Sequence, residues 1–414
     1  MWLASMRPAR LLALFVMAFL TGVSCVLAAP AKAAAPTATP LVSYAARIVG
    51  DDARTRIVLD FREKPQASVH YIGNPDRIVV DLPATNFTFP ASDLAPTGLF
   101  RDIRFGSIDA SHSRLVLSAK KATKLTLTDI RENDGGKGYR LILDAEMTDQ
   151  DTFAKLVASE AWNADAYDTG KAARLAQDPP PSSTDFLIAV DAGHGGIDTG
   201  AIGRTTHIPE KTITLAFAKA FAAELNKQKG IKAFLTRDSD VFLSLSQRVT
   251  LARQKGANLF ISLHADMLSQ PDIRGATVYT ISDKSSDRLA EAAAARENQS
   301  DEVGGVDTPQ APHEVSDILQ DLTRRETQAF SISMAKAVVE QFSGQIKLIN
   351  NPHRYAGFRV LQAQDVPSIL LEMGFLSNKE DEHLLSDAAW RKKLVHLLVE
   401  AVKEYRQPLL ANKG

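Results

Sequence analysis

Two regimes of hydrophobic patterning divide the chain. Over residues 41–147 the apolar positions read as short alternating runs, among them Arg56-Ile57-Val58-Leu59-Asp60-Phe61, Arg77-Ile78-Val79-Val80-Asp81-Leu82, Arg114-Leu115-Val116-Leu117 and Tyr139-Arg140-Leu141-Ile142-Leu143. Successive side chains of a strand point to opposite faces, so runs of this length and spacing predict strands. Between them fall Gly73-Asn74-Pro75-Asp76 and Asn133-Asp134-Gly135-Gly136, residues that favour tight turns. The pattern predicts a small all-β, sandwich-like module. Few His, Glu or Ser residues cluster in it, so it reads as a binding module rather than a catalytic one, expected to localise the protein without taking part in chemistry.

From residue 185 the pattern changes. Phe186-Leu187-Ile188-Ala189-Val190 and Leu259-Phe260-Ile261-Ser262-Leu263 are apolar runs of the kind found in strands buried on both faces. Further strands are expected at 231–235, 276–281 and 368–371, with helices near 212–227, 245–254 and 387–405. Strand and helix in alternation predict an α/β layered domain over 185–408, with a largely parallel twisted sheet flanked by helices. Residues 148–184 read as a Pro/Ala-rich linker ending in Asp178-Pro179-Pro180-Pro181, with transient helix expected over 154–166. Stacked prolines make a semi-rigid spacer.

Composition narrows the classes. A chain of 414 residues suggests two or three domains, and a 45% hydrophobic share is enough to build their cores. A net charge of −1 gives no electrostatic reason to expect nucleic acid or an anionic membrane surface as partner. Residues 1–33 have the layout of a secretory signal peptide: Arg7 and Arg10, an apolar run over 11–27, then alanines. The alternative is a retained membrane anchor, but no stop-transfer charges follow the run. Cleavage would leave no stable membrane span. Cys25, the only cysteine, lies inside that run, so the mature chain would hold neither disulfide, thiol nucleophile nor thiolate metal ligand.

The candidate chemistry lies where the buried strands end, the place where open α/β sheets bind ligands. His194 follows one strand in Asp191-Ala192-Gly193-His194-Gly195-Gly196, His264 another in Ser262-Leu263-His264-Ala265-Asp266, and Glu372 a third in Leu370-Leu371-Glu372-Met373-Gly374. Glu210 precedes the helix expected at 212. Two histidines and a carboxylate leave a fourth position on Zn²⁺ open for water. Glu372 follows Ile369-Leu370-Leu371, where a charge is costly, and is the candidate proton carrier. Each residue alone has a plainer reading: a glycine-rich turn around His194, a strand-end His264, a Glu210 that favours its helix dipole. Together at strand ends they favour a metal site. His207 is a rival ligand, ranked lower because Pro209 keeps His207-Ile208-Pro209-Glu210 out of a regular helix. Ser333-Met334-Ala335-Lys336 matches a Ser-x-x-Lys pattern without its companion motifs and reads as coincidence on a helix.

Residues 186–405 resemble the zinc-dependent N-acetylmuramoyl-L-alanine amidases of the AmiC type. The resemblance rests on Val190-Asp191-Ala192-Gly193-His194-Gly195-Gly196, Glu210-Lys211, Leu235-Thr236-Arg237-Asp238, Ser262-Leu263-His264-Ala265-Asp266 and Val366-Pro367-Ser368-Ile369-Leu370-Leu371-Glu372-Met373-Gly374-Phe375-Leu376-Ser377-Asn378. It implies that His194, Glu210 and His264 bind zinc and that Glu372 is the catalytic base. Pro209 stands where the family often has arginine. The 41–147 module resembles the AMIN domain that carries such amidases to cell-wall sites. The implied activity is hydrolysis of the amide between N-acetylmuramic acid and L-alanine in peptidoglycan, in the periplasm, during cell separation. Alternatives are a wall-binding scaffold with a degenerate amidase domain, or a zinc amidase or peptidase acting on another exported substrate.

A segment at about 283–328 interrupts the α/β alternation, and the resemblance implies that it is a regulatory insert. Its first part, 286–298, reads as a helix, and Glu297, ahead of Glu291 and Glu302, is the carboxylate expected to occupy the open zinc position. Further on, Val315, Ile318, Leu319 and Leu322 make one apolar helix face. That face either packs on the core or, as the resemblance implies, docks a LytM-type activator, in which case changing Ile318 and Leu322 to glutamate should abolish activation.

Overall fold

A computed structural model describes residues 39–133, 136–159, 185–306 and 318–411, the side chains of the last span from 324 to 407. Residues 1–33, expected to be a signal peptide, most of the expected linker, Val315 and the side chains of 318, 319 and 322 lie outside the described residues.

The first module contains β1 (Leu41–Gly50), β2 (Arg54–Phe61), β3 (Ser68–Ile72), β4 (Arg77–Pro83), β5 (Thr85–Phe87), β6 (Phe100–Ser107), β7 (His112–Ala119), β8 (Thr123–Glu132) and β9 (Tyr139–Met147). They form a five-stranded sheet, β5-β1-β2-β9-β8, and a four-stranded sheet, β3-β4-β7-β6. Leu59, Phe61, Leu141 and Leu143 of the first sheet share one apolar core with Ile78, Val80, Leu115 and Leu117 of the second. A helix, α1 (Gln150–Ser159), occupies the beginning of the expected linker; its buried Phe153 meets Tyr71 edge-on at 5.9 Å between ring centres.

The second module contains β10 (Phe186–Ala192), α2 (Glu210–Leu225), β11 (Ile231–Leu235), α3 (Leu245–Gln254), β12 (Leu259–His264), β13 (Ala276–Ile281), α4 (Arg288–Glu297), α5 (Ser300–Val303), α6 (Ile318–Phe342), β14 (Leu348–Ala356), β15 (Ser368–Glu372), α7 (Lys379–Ser386) and α8 (Ala388–Ala411). Its sheet runs β11-β10-β12-β15-β13-β14, parallel except where β13 meets β15. Strand parity explains the two-sided burial. Ile188, Val190, Ile261, Leu263, Ile369 and Leu371 pack with Phe217, Phe221 and Leu398 on one face, while Ala189, Phe260 and Leu370 pack with Tyr279, Phe358 and Ala293 on the other. The chain is therefore mixed α/β, a layered, largely parallel sheet domain preceded by an all-β sandwich, as expected from its patterning.

Chain order positions the site. From β10 the chain crosses by α2 to β11 on one side, then by α3 to β12 on the other. The carboxyl ends of β10 and β12 thus flank the point where strand order reverses, and a crevice opens there. No helix among the described residues is long and apolar enough to cross a membrane.

Candidate metal centre and active site

Four side chains from four elements converge in this crevice. His194 lies just past β10 with its backbone at φ 59°, a left-handed conformation uncommon for non-glycine residues. Glu210 opens α2, after Pro209 in extended conformation at φ −67°. His264 ends β12, and Glu297 ends α4. Glu210 Oε2 is 3.2 Å from His194 Nε2, and Glu210 Oε1 is 3.3 Å from His264 Nδ1. Glu297 Oε2 is 3.0 Å from His264 Nδ1 and 3.5 Å from His194 Nε2. Glycine makes the approach possible: a Cβ on Gly193 would collide with the His264 ring, and one on Gly200 would lie 2.6 Å from His194 Cδ2 and 2.7 Å from Glu210 Oε2.

This donor set fits zinc. One atom from each of His194, Glu210, His264 and Glu297 lies within 4.8 Å of the others. His194 Nε2 and His264 Nδ1 are buried and make no hydrogen bond among the described residues. Imidazole nitrogen and carboxylate oxygen are the ligands zinc takes where thiolates are lacking. The electrostatics agree. Burial would lower the His194 imidazole, but the carboxylates of Asp198, Glu210 and Glu297 outweigh it and hold it well above the usual histidine range. His264 rises to about 10, burial again being outweighed, here by Glu297 and Glu210. Glu210 falls well below the carboxylate range against its burial, because His194 and His264 face it. Such an excess of negative charge draws protons onto the imidazoles. A divalent cation satisfies the same demand and leaves them neutral.

Glu372 stands beside this set and outside it. The parallel pairing of β12 with β15 places it opposite His264. Its Oε2 accepts from the Asp266 amide at 2.9 Å, while Oε1 has no hydrogen-bond partner among the described residues. Burial, then the neighbouring Asp266, raises its pKa well above the carboxylate range. Asp266 is itself raised to about 6, by burial and then by Glu297. His207, the rival ligand, is exposed and belongs to no group of potential metal ligands among the described residues.

Sequence reasoning missed the support beneath the site. His194 Nδ1 pairs with Asp198 Oδ2 at 2.8 Å, which fixes the ring and leaves Nε2 facing the cluster. Under the loop, Arg248 bonds Asp191 Oδ1 at 2.8 Å, Ala192 O at 2.7 Å and His194 O at 2.9 Å. Arg237 bonds Ala192 O and Gly193 O, each at 2.9 Å. Asp191 also accepts from Thr236 and Ser262, each at 2.6 Å. Burial opposes its ionisation, yet Arg248 and these hydroxyls hold its pKa below the usual value. A depressed folded pKa stabilises fully above the ordinary carboxylate range, and that contribution is lost as pH falls through the folded value. Asp191→Asn leaves Arg248 buried without its counter-charge, so we expect a loss of about 3–5 kcal/mol in denaturant unfolding. A loss below about 0.5 kcal/mol, as at ordinary surface sites, would show that the pair does not support the loop.

Comparison with known proteins gives the same picture. Residues 188–404 match the family described as N-acetylmuramoyl-L-alanine amidase, and residues 45–144 match the AMIN domain. The chain is 30% identical over 372 residues to N-acetylmuramoyl-L-alanine amidase AmiC of Escherichia coli, covering 87% of this chain and 88% of that protein. It is 30% identical over 397 residues to AmiC of Neisseria meningitidis, covering 93% and 94%. To AmiA of Escherichia coli it is 38% identical over 220 residues, covering 53% of this chain and 75% of that one. The chain belongs to the N-acetylmuramoyl-L-alanine amidase family, hydrolases of the peptidoglycan cell wall, and carries an AMIN domain ahead of its amidase domain.

Proposed function

We propose that the chain is an exported zinc amidase that separates the stem peptide from the glycan of peptidoglycan, and that Glu297 holds it inactive until a partner withdraws it. One observation carries this reading: a three-residue donor set, His194, Glu210 and His264, whose remaining side is filled by a fourth carboxylate from an insert. His194, Glu210 and His264 would hold the zinc. Bound there, zinc supplies an acidified water and a polarised amide carbonyl.

Glu372 moves the proton. With Oε2 fixed by the Asp266 amide, Oε1 takes a proton from the water that adds to the muramoyl carbonyl. It returns that proton to the L-alanine nitrogen as the C–N bond breaks. The glycan keeps a free lactyl carboxylate, and the peptide leaves with a free amino terminus. Its raised affinity for a proton suits it to both transfers.

Glu297 stands where substrate would approach. The insert behind it is tied down at several points: Arg296 bonds Asp266 Oδ2 at 2.6 Å, Ser300 bonds Asp198 Oδ2 at 2.6 Å, and Asp301 accepts the Leu245 amide at 2.8 Å. An activator must break these ties together. A LytM-type protein docking on the apolar face near Ile318 and Leu322 suits that role, and release during cell separation suits an enzyme that cuts its own wall. The basic, apolar and small-residue leader supports export to the periplasm. Glu297→Ala is expected to raise basal release of stem peptides about five- to 150-fold, the ordinary range of site coupling, with zinc retained. A folded, zinc-loaded variant no more active than the parent would end the autoinhibitory reading.

A further inference from the structure

We propose that the β-sandwich module is a brace on the blocking insert, so that the lock on the active site is built from both domains. This rests on the reading of Glu297 as a block. The first indication is a buried face that the module's own core does not use. On β4 and β7, Ile78, Val80, Leu115 and Leu117 fill the sandwich. By strand parity Arg77, Val79, Asp81, Arg114 and Val116 point the other way. The outer face of a free-standing sandwich is ordinarily polar and solvated. Here Val79 is 0% and Val116 1% exposed, and both arginines are buried as well.

The insert covers this face. Arg114 Nη1 donates to Gly304 O at 2.9 Å, while Asp81 accepts from Arg114 Nε at 2.6 Å and holds the guanidinium in place. Arg77 Nη1 donates to Glu302 O at 3.3 Å and to Val306 O at 3.2 Å. These carbonyls belong to the last turn of α5 and the segment just after it, where Glu302 O also accepts the Gly305 amide at 3.1 Å. Ile72, Val79, Ile108 and Val116 join Ile197 and Phe242 of the catalytic domain in one apolar cluster, with Val306 packed against it. A Cβ on Gly305, which sits at φ +64°, would lie 3.0 Å from the nearest methyls of both Val79 and Val116.

The module also holds the other side of the lock. Ser107 O accepts the Ile197 amide at 2.9 Å, and Ile108 O accepts the Phe242 amide at 3.0 Å. Ile197 lies in the loop between His194 and its partner Asp198. One rigid sheet thus grips both the histidine loop and the segment after Glu297. Withdrawing Glu297 by moving α4 and α5 drags residues 302–306 across the module. By linkage, the module's contacts favour the blocked state by as much as the blocked state favours those contacts, so loosening one loosens the other.

The test uses the full zinc-loaded chain carrying Val79→Glu and Val116→Glu, which face away from the sandwich core. Hydrogen exchange is followed over 288–306, with β2 and β9 as a control on the module's fold. Basal stem-peptide release is measured beside the parent and Glu297→Ala. We expect faster exchange over 288–306, unchanged β2 and β9, and release raised about fivefold or more. Unchanged exchange over 288–306 overturns the brace. So does faster exchange without a rise in release when Glu297→Ala does raise it. If Glu297→Ala is itself flat, the blocking reading fails and the brace is decided by exchange alone. Should β2 and β9 lose protection, Val306→Asp, outside the module, repeats the test from the insert side.

Discussion

Glu372→Gln is expected to keep stoichiometric zinc and to lower turnover about 10²- to 10⁴-fold, the usual worth of a positioned proton carrier. Glutamine has the shape of the carboxylate, and its carbonyl oxygen can still accept the Asp266 amide that Glu372 Oε2 accepts at 2.9 Å. It cannot take a proton from water. The substitution also removes a buried group whose pKa is raised by burial and by Asp266, so folding should not suffer. Turnover is best measured in the Glu297→Ala background, which lacks the carboxylate proposed to block the site. Metal analysis distinguishes the roles: a variant that loses its zinc would make Glu372 a ligand, and one that keeps full turnover would remove it from the mechanism.

His194→Ala and His264→Ala should each lose both zinc and activity. Each removes one of the two buried imidazoles and leaves Glu210 and Glu297 facing each other with less positive charge between them. At His194 the alanine must also hold φ 59°, a strain of about 1–2 kcal/mol, so a circular-dichroism melt accompanies the metal analysis. A folded variant that retained stoichiometric zinc and parental turnover would show that the metal is held elsewhere.

The strand ends were readable because burial on both faces leaves few reasons for a polar residue to follow. That signal pointed to His194, His264 and Glu372 before any register was known, and the pairing of His264 with Glu372 came only with the sheet. Strands Ile231–Leu235 and Ala276–Ile281 and helix Leu245–Gln254 lie where the patterning places them. β14 was missed because Asn350-Asn351-Pro352-His353 interrupts any apolar pattern, which an edge strand tolerates. The link between Asp191 and Arg248 spans 57 residues, and an arginine on a helix ordinarily reads as solvated. Docking of the module left a trace that reading these segments as alternating passes over. Ile78-Val79-Val80 and Leu115-Val116-Leu117 are unbroken apolar runs where a sheet with one wet face would alternate, and the second buried face explains them. α1 rests on Phe153 as its single buried side chain, too little pattern to separate it from a linker. Ile318 falls at the start of α6, as the helical spacing of the insert suggests, and what its side chain meets lies outside the described residues.

We propose that the His194, Glu210, His264 and Glu372 site cuts one bond, the amide between the muramoyl lactyl group and L-alanine, once Glu297 is out of the way. Mass analysis of purified peptidoglycan digested by zinc-loaded Glu297→Ala protein tests it directly. Free stem peptides beginning with an L-alanine amino group are expected, together with intact glycan strands bearing free lactyl carboxylates. Shortened glycan strands, or peptides cut within the stem and still attached to muramic acid, would contradict it.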